Sequence, residues 1–229
     1  MLTVALTGGI GSGKTAVCNI FRQPGLEPGL EAGLEIIDAD VIARNLLAGS
    51  LTGSHSQALK KVYNLFGSDV FNSSGQEEGQ LDREKLRTLV FSSKTKKKQL
   101  EELLHPLVYE EIFSQIKNFS RKEVFEQQSG RENQPINIVI IAIPLLFETH
   151  AENKFDRVLV IDVPVELQIE RSMQREQCSR ELIEQIINSQ VDRQTRLNHA
   201  DDVIDNSGTL TELREQVKNL LNFYRSLKK

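Results

Sequence analysis

Cysteine is scarce in this sequence: there are 2 among 229 residues, Cys18 and Cys178, far apart and outside any C-x-x-C pattern. That excludes a disulfide framework and a cysteine-based zinc site, and predicts two buried or idle thiols in a reducing compartment. Long apolar runs are missing too. The longest, Ile136 to Phe147, is interrupted by Asn137 and Pro144 and falls short of the ~20 residues that cross a bilayer. No basic segment followed by an apolar stretch and a small-residue cleavage site opens the chain, so no secretory leader is expected. Nor is there an excess of one charge: 28 Lys and Arg against 32 Asp and Glu give a formal net charge of -4. Broad electrostatic binding to nucleic acid or anionic lipid is therefore not expected. The expectation is a cytoplasmic protein with neither nucleic acid nor membrane as partner. A hydrophobic content of 39% suffices for one well-buried core, with or without a smaller companion.

What is present is concentrated near the start. Gly8-Gly9-Ile10-Gly11-Ser12-Gly13-Lys14-Thr15 follows the apolar run Thr3 to Thr7 and satisfies G-x-x-x-x-G-K-[ST], the phosphate-binding P-loop. Glycines let the backbone curl until its amides point inward. The positive end of the following helix, with Ala16, Val17, Ile20 and Phe21 at helical spacing, adds to that ring of donors. Lys14 supplies a point charge for the β and γ phosphates, and the Thr15 hydroxyl a ligand for Mg²⁺. Gly11-x-Gly13-x-x-Ala16, with Asp38 further on, also fits the looser dinucleotide fingerprint. Lys14-Thr15 decides against it, because a dinucleotide turn has no use for a lysine inside it.

After this loop, x-Gly-Leu-Glu repeats three times from Pro24 to Glu35, which reads as a surface loop. Ile36 and Ile37 predict a short strand running into Asp38-Ala39-Asp40. Strand alternation would turn both carboxylates to one side, where they could accept a proton from an attacking hydroxyl or help hold Mg²⁺ through water. The alternative is a helix cap. From Ser54 to Asn118 the pattern is helical: Asp82 is a predicted cap, Phe71 to Leu81 a loop, and Pro106 a helix stop. His105 beside it is either a ligand contact or a structural hydrogen-bonding group. Ile138 to Ile143 and Arg157 to Val163 read as buried strands. Pro164 opens a helix with Gln168, Arg171 and Arg175 on one face, placed either to close over a triphosphate or to form surface ion pairs. Val203-Ile204 is the last strand, and Thr209 with Glu212 a capping box for the final helix. Strands alternating with helices predict an α/β fold, a doubly wound parallel sheet of five strands.

Two short matches to GTPase motifs, Asn153-Lys154-x-Asp156 and Asp205-x-x-Gly208, stand at the wrong places in the chain. A far longer set of residues resembles the dephospho-coenzyme A kinase family: Ala5 to Lys14, Ile37 to Asp40 with Ile42-Ala43-Arg44, Leu81-Asp82-Arg83, His105-Pro106, Pro144-Leu145-Leu146-Phe147-Glu148, Gln168 with Arg171 and Arg175, Gln190, and Ala200 to Asn206. The likeness runs from Met1 to about Tyr224. It implies a P-loop kinase core (about 1–40, 136–165 and 198–229), a helical substrate region (about 41–118) and a helical lid (about 166–197). It implies ATP and dephospho-CoA as substrates, Mg²⁺ as cofactor, and a monomer or weak homo-oligomer. Asp40 would be the base with Asp38 assisting; Lys14, Arg171 and Arg175 would act on the transferred group. Gly9, Gly11, Ser12, Gly13, Lys14, Thr15, Ala16 and Asn206 would bind ATP, and Arg44, Arg83, His105, Pro144 and Leu145 would line the acceptor side. Thr15-Ala16 stands where the family commonly has Ser-Thr, which keeps the metal-binding hydroxyl. The Gly-Leu-Glu repeat and the polar stretch from Ser120 to Gln134 look like insertions.

Overall fold

The computed structural model describes residues 1–26, 34–48, 56–72, 80–128 and 138–227. The chain divides into two compact units, Met1–Asp38 with Ile116–Lys229, and Ala39–Gln115.

The first unit is built on a parallel five-stranded sheet. Its strands β1 (Leu2–Thr7), β2 (Ile36–Asp38), β3 (Ile138–Ala142), β4 (Arg157–Asp162) and β5 (Asp202–Asp205) lie in the order β2-β3-β1-β4-β5. β1 pairs on one side with β3 (Leu6 opposite Ala142) and on the other with β4 (Leu6 opposite Leu159). The order therefore reverses at β1, and the carboxyl end of such a switch strand is where open α/β sheets bind ligands. Every residue of β3 is buried, as a central strand covered on both faces requires. The core joins Val4, Leu6, Ile140, Leu159 and Ile161 of the strands to Val17, Ile20 and Phe21 of α1 (Lys14–Phe21). Leu213, Val217, Leu221 and Tyr224 of α9 (Leu210–Ser226) complete it. Truncating a fully buried member such as Leu6 to Ala would cost about 2–5 kcal/mol. The predicted capping box forms at α9, with Thr209 and Glu212 exchanging side-chain and backbone bonds.

The second unit is helical: α2 (Ala39–Leu46), α3 (Ser56–Phe66), α4 (Arg83–Phe91) and the first part of α5 (Lys94–Gln128). Leu59, Val62, Val70, Phe71, Leu81 and Leu86 form its own core. Asp82 caps α4 as expected, accepting from the Glu84 and Lys85 amides. Phe71 and Leu81 pair as an isolated antiparallel bridge; the loop predicted between them falls mostly in residues 73–79, outside the described residues. Residues 27–33 of the Gly-Leu-Glu repeat and 129–137, which take in the end of the polar stretch from Ser120 to Gln134, lie outside them as well.

Two sequence expectations need correction. Pro106 does not stop a helix, since α5 runs through it. Its ring is exposed, so the carbonyl that loses its amide partner can turn toward water, and packing of the flanking Leu104, Leu107 and Val108 carries the helix on. Asp38 and Asp40 are not alternate residues of one strand. β2 ends at Asp38, and Asp40 lies in the first turn of α2, where an acid favours helix initiation through the macrodipole.

Three helices complete the first unit between β4 and β5: α6 (Val165–Glu176), α7 (Arg180–Ser189) and α8 (Arg193–Asn198).

Candidate active site

Residues 8–13 leave the carboxyl end of β1 and turn directly into α1. Gly11 (φ +70°) and Gly13 (φ +90°) hold left-handed backbone that a side chain would strain. Neighbouring elements close on the turn. A Cβ at Gly9 would meet Gln168 Oε1 at 2.5 Å and Arg196 at 3.1 Å; one at Gly11 would meet the Gln168 carbonyl and Ser172 Oγ, both at 2.6 Å; and one at Gly13 would strike the Asn206 carboxamide. The loop is thus cradled by α6, by α8 and by the residue after β5. Lys14 arches back over it, donating from Nζ to the carbonyls of Gly8 (2.8 Å) and Gly9 (3.0 Å). Thr15 is exposed at the start of α1, with Ala16 half-buried behind it.

Asn206 and Arg171 lie where the loop meets α1. The Asn206 carboxamide donates to the Ser12 carbonyl at 2.8 Å, and Arg171 donates to the Asn206 carbonyl at 2.9 Å. Arg175, one turn on, donates to Glu176 at 2.7 Å and is exposed. The two guanidinium groups thus take different partners. Pro144 and Leu145 follow β3 at the same edge of the sheet, and the Pro144 carbonyl accepts from Thr7 Oγ1 at 3.4 Å.

Asp38 belongs to this edge as well. It pairs in register with Ala142, which pairs with Leu6, so it stands two strand spacings, about 10 Å, from the end of β1. The buried thiol of Cys18 registers both sides of this arrangement. Burial pushes its pKa up to about 11, and among the charges Arg22 lowers it, Asp38 raises it and Lys14 lowers it.

The remaining predicted residues belong to the second unit. Asp40 and Arg44 are exposed at the first and last turns of α2. Arg83 at the start of α4 donates to the Arg44 carbonyl at 3.0 Å, which brings together the two arginines expected on the acceptor side. His105 is half-buried within α5.

Sequence reasoning gave no role to several residues around the loop. Gln190 accepts from the Ile10 amide at 3.0 Å. Arg196, 7% exposed, has its pKa drawn down, first by burial, and donates to the Val191 carbonyl. Ser12 Oγ, Gln168 Oε1 and Ser172 Oγ are buried without a hydrogen-bond partner, an unusual concentration of unsatisfied polar atoms around one turn. Gln168 and Gln190 stood among the residues that carry the family resemblance, without a stated role at the loop, and helical spacing puts Gln168 and Ser172 on one face of α6. The acids of the two GTPase-like matches serve local structure: Asp156 accepts from Thr3, and Asp205 from the Ser207 amide.

A strand-to-helix phosphate loop at the switch point, with a lysine folded over it, is the geometry of a nucleotide triphosphate site. Comparison with known proteins identifies the kind. A family model described as dephospho-CoA kinase matches residues 2–212. The chain belongs to the dephospho-CoA kinase family. A dephospho-CoA kinase from Shewanella oneidensis is 37% identical over 224 residues, covering 98% of this chain and 94% of that protein. The one from Colwellia psychrerythraea is 40% identical over 229 residues, covering 100% and 98%. A solved dephospho-CoA kinase from Campylobacter jejuni superposes with a TM-score of 0.64 at 27% identity, covering 98% of this chain and 97% of that one. The dephospho-CoA kinase fold is thus a P-loop kinase fold with its five-stranded parallel sheet, and the chain is an enzyme that uses ATP.

Proposed function

We propose that the protein transfers the γ-phosphoryl group of ATP to the ribose 3′-hydroxyl of dephospho-CoA, giving CoA and ADP in the last step of coenzyme A synthesis. The observation that carries this reading is the loop at residues 8–15, cradled by α6, α8 and Asn206 at the switch point of a chain that belongs to this family.

Phosphoryl transfer asks a protein mainly for alignment and charge neutralisation. The amides of Gly9, Gly11, Ser12, Gly13, Lys14, Thr15 and Ala16 hold the phosphate oxygens, and Lys14 exchanges its carbonyl partners for the β and γ phosphates. Asn206 borders the adenine side. Mg²⁺, when bound, neutralises charge between the β and γ phosphates. Thr15, whose residue is exposed at the helix start, would hold it, and no group of three His, Cys, Asp or Glu side chains among the described residues forms a metal cage. That fits an ion carried chiefly by phosphate oxygens and water.

Asp40 takes the proton of the attacking hydroxyl, with Asp38 assisting. Arg44, Arg83, His105, Pro144 and Leu145 line the acceptor. Arg171 and Arg175, in a lid of residues 166–197, neutralise charge on the transferred group. Residues 41–118 are the substrate region. The working form is a cytoplasmic monomer or weak homo-oligomer; among the described residues no helix is long and apolar enough to cross a membrane.

ADP release from ATP should depend on dephospho-CoA, and should fall to background with nucleoside monophosphates or without acceptor. Release with a monophosphate instead would identify a different small-molecule kinase; acceptor-independent release would identify a nucleotide-dependent regulator. Asp40→Asn should abolish turnover while leaving ATP affinity nearly intact. Weakened ATP affinity with normal turnover would contradict the base assignment.

A further inference from the structure

We infer that Gln190 is a positioning residue for Lys14, acting through the Gly9–Ile10 peptide plane. The inference rests on the reading that residues 8–15 hold ATP.

Glycines flank Ile10 on both sides, and Gly11 is left-handed. The Gly9 hinge of the Gly9–Ile10 peptide is therefore free to turn, and only the φ of Ile10 resists a flip locally. Yet that plane carries two groups that matter. Its amide is the Ile10 N–H, which donates to Gln190 Oε1 at 3.0 Å. Its carbonyl is Gly9 O, which accepts from Lys14 Nζ at 3.0 Å. Because the peptide is planar and trans, the amide and carbonyl point in opposite directions. Fixing the N–H on Gln190 therefore fixes the carbonyl toward the ammonium. A flipped plane would turn an N–H toward Lys14, setting donor against cation.

Gln190 is itself held in place by its neighbours. It caps α7 in extended conformation (φ −93°, ψ 160°), with its own amide donating to the Ile187 carbonyl. The next residue is tied on both sides: the Val191 amide donates to Glu148 Oε1 at 2.9 Å, and its carbonyl accepts from buried Arg196. Residues 190 and 191 thus form a strap anchored to Glu148 after β3, to α7 and to α8. The strap offers the loop an acceptor at a set point, an arrangement that works through preorganisation of a supporting group rather than contact with the reacting atoms.

The bond is tested by amide hydrogen exchange in the nucleotide-free protein, read by NMR, alongside calorimetric ATP affinity. In Gln190→Leu, which keeps the side chain's bulk but offers no acceptor, Ile10 should exchange about 10-fold faster while α9 amides keep their protection. ATP affinity should fall by about 10-fold, the low end of what outer partners contribute at metal sites. Gln190→Glu, whose carboxylate still accepts, should retain the Ile10 protection. Equal Ile10 exchange in wild type and Gln190→Leu, or unchanged ATP affinity despite faster exchange, would overturn the inference. A wild-type protein that binds no ATP, with Ile10 exchange responding as stated, would overturn the ATP reading and leave the Gln190 bond standing.

Discussion

The Asn206 side chain and the Ser12 carbonyl meet at 2.8 Å in a buried setting, joining the residue after the last strand to the middle of the phosphate loop. Asn206 is pinned from behind, since its amide donates to the Asp162 carbonyl at 2.9 Å. Asn206→Leu preserves volume and leaves the Ser12 carbonyl without this donor, at a cost of about 1–3 kcal/mol. In a chain of this length that is a fall in Tm of roughly 2–4 °C per kcal/mol, with a raised KM for ATP. Thermal unfolding and steady-state kinetics check both; an unchanged Tm would mean that the contact stabilises nothing.

Gly9 occupies a position at which the general motif accepts any residue, but here Gln168 and Arg196 fill the space of a side chain. Gly9→Ala should lose about 1–3 kcal/mol of stability through overpacking and lower kcat/KM. Adding Gln168→Ala should restore part of the loss, because it removes the nearer obstacle. A double variant no better than the single one would place the strain elsewhere.

Cys18 is 4% exposed, and its thiol is pushed up to about 11. At pH 8 it stays protonated, and the thiolate is the reactive form. Iodoacetamide should label Cys178, which is half-buried, well before Cys18 in the native protein, and both at once in denaturant. Mass spectrometry of the two peptides distinguishes these outcomes.

Asp162 accepts from Arg193 at 2.8 and 2.6 Å, and that bonding is the first cause holding its carboxyl below the usual range. A depressed folded value means that the contribution is fully present above the unfolded value, about 3.9, and lost as pH falls through the folded one. Asp162→Asn should lower stability near neutrality and flatten the acid limb of stability against pH below about 4. Urea midpoints measured from pH 3 to 7 would show it; parallel curves for both proteins would remove Asp162 from the acid response.

What could be read in the chain and what could not divide along a physical line. The loop from Gly8 to Thr15, the caps at Asp82 and Thr209, and the five strands are written in contiguous residues, so spacing and periodicity expose them. Gln190 and Arg196 reach the loop only through tertiary folding, across more than half the chain, and no local pattern encodes such a meeting. Pro106 obeys a local rule that packing overrides. The pairing of Asp38 with Asp40 by alternation failed because β2 has only 3 residues; the acid at the second position of a helix was the stronger signal. Of the candidate site, the loop from Gly8 to Thr15 could be read from its own residues, whereas Asn206, Arg44 and Arg83 drew their roles from family resemblance.

Strand pairing in the sheet also bears on how the chain folds. Leu2 must find Ile138, so the first strand waits for a partner made more than a hundred positions later, and closing a loop of that size precedes any reward from pairing. The intervening stretch carries its own apolar cluster, from Leu59 to Leu86, and can condense while the ribosome is still extending the chain. Nascent-chain proteolysis should therefore find protection appearing first in the helical insert, with the phosphate-gripping turn acquiring its shape only after synthesis has passed the fourth strand.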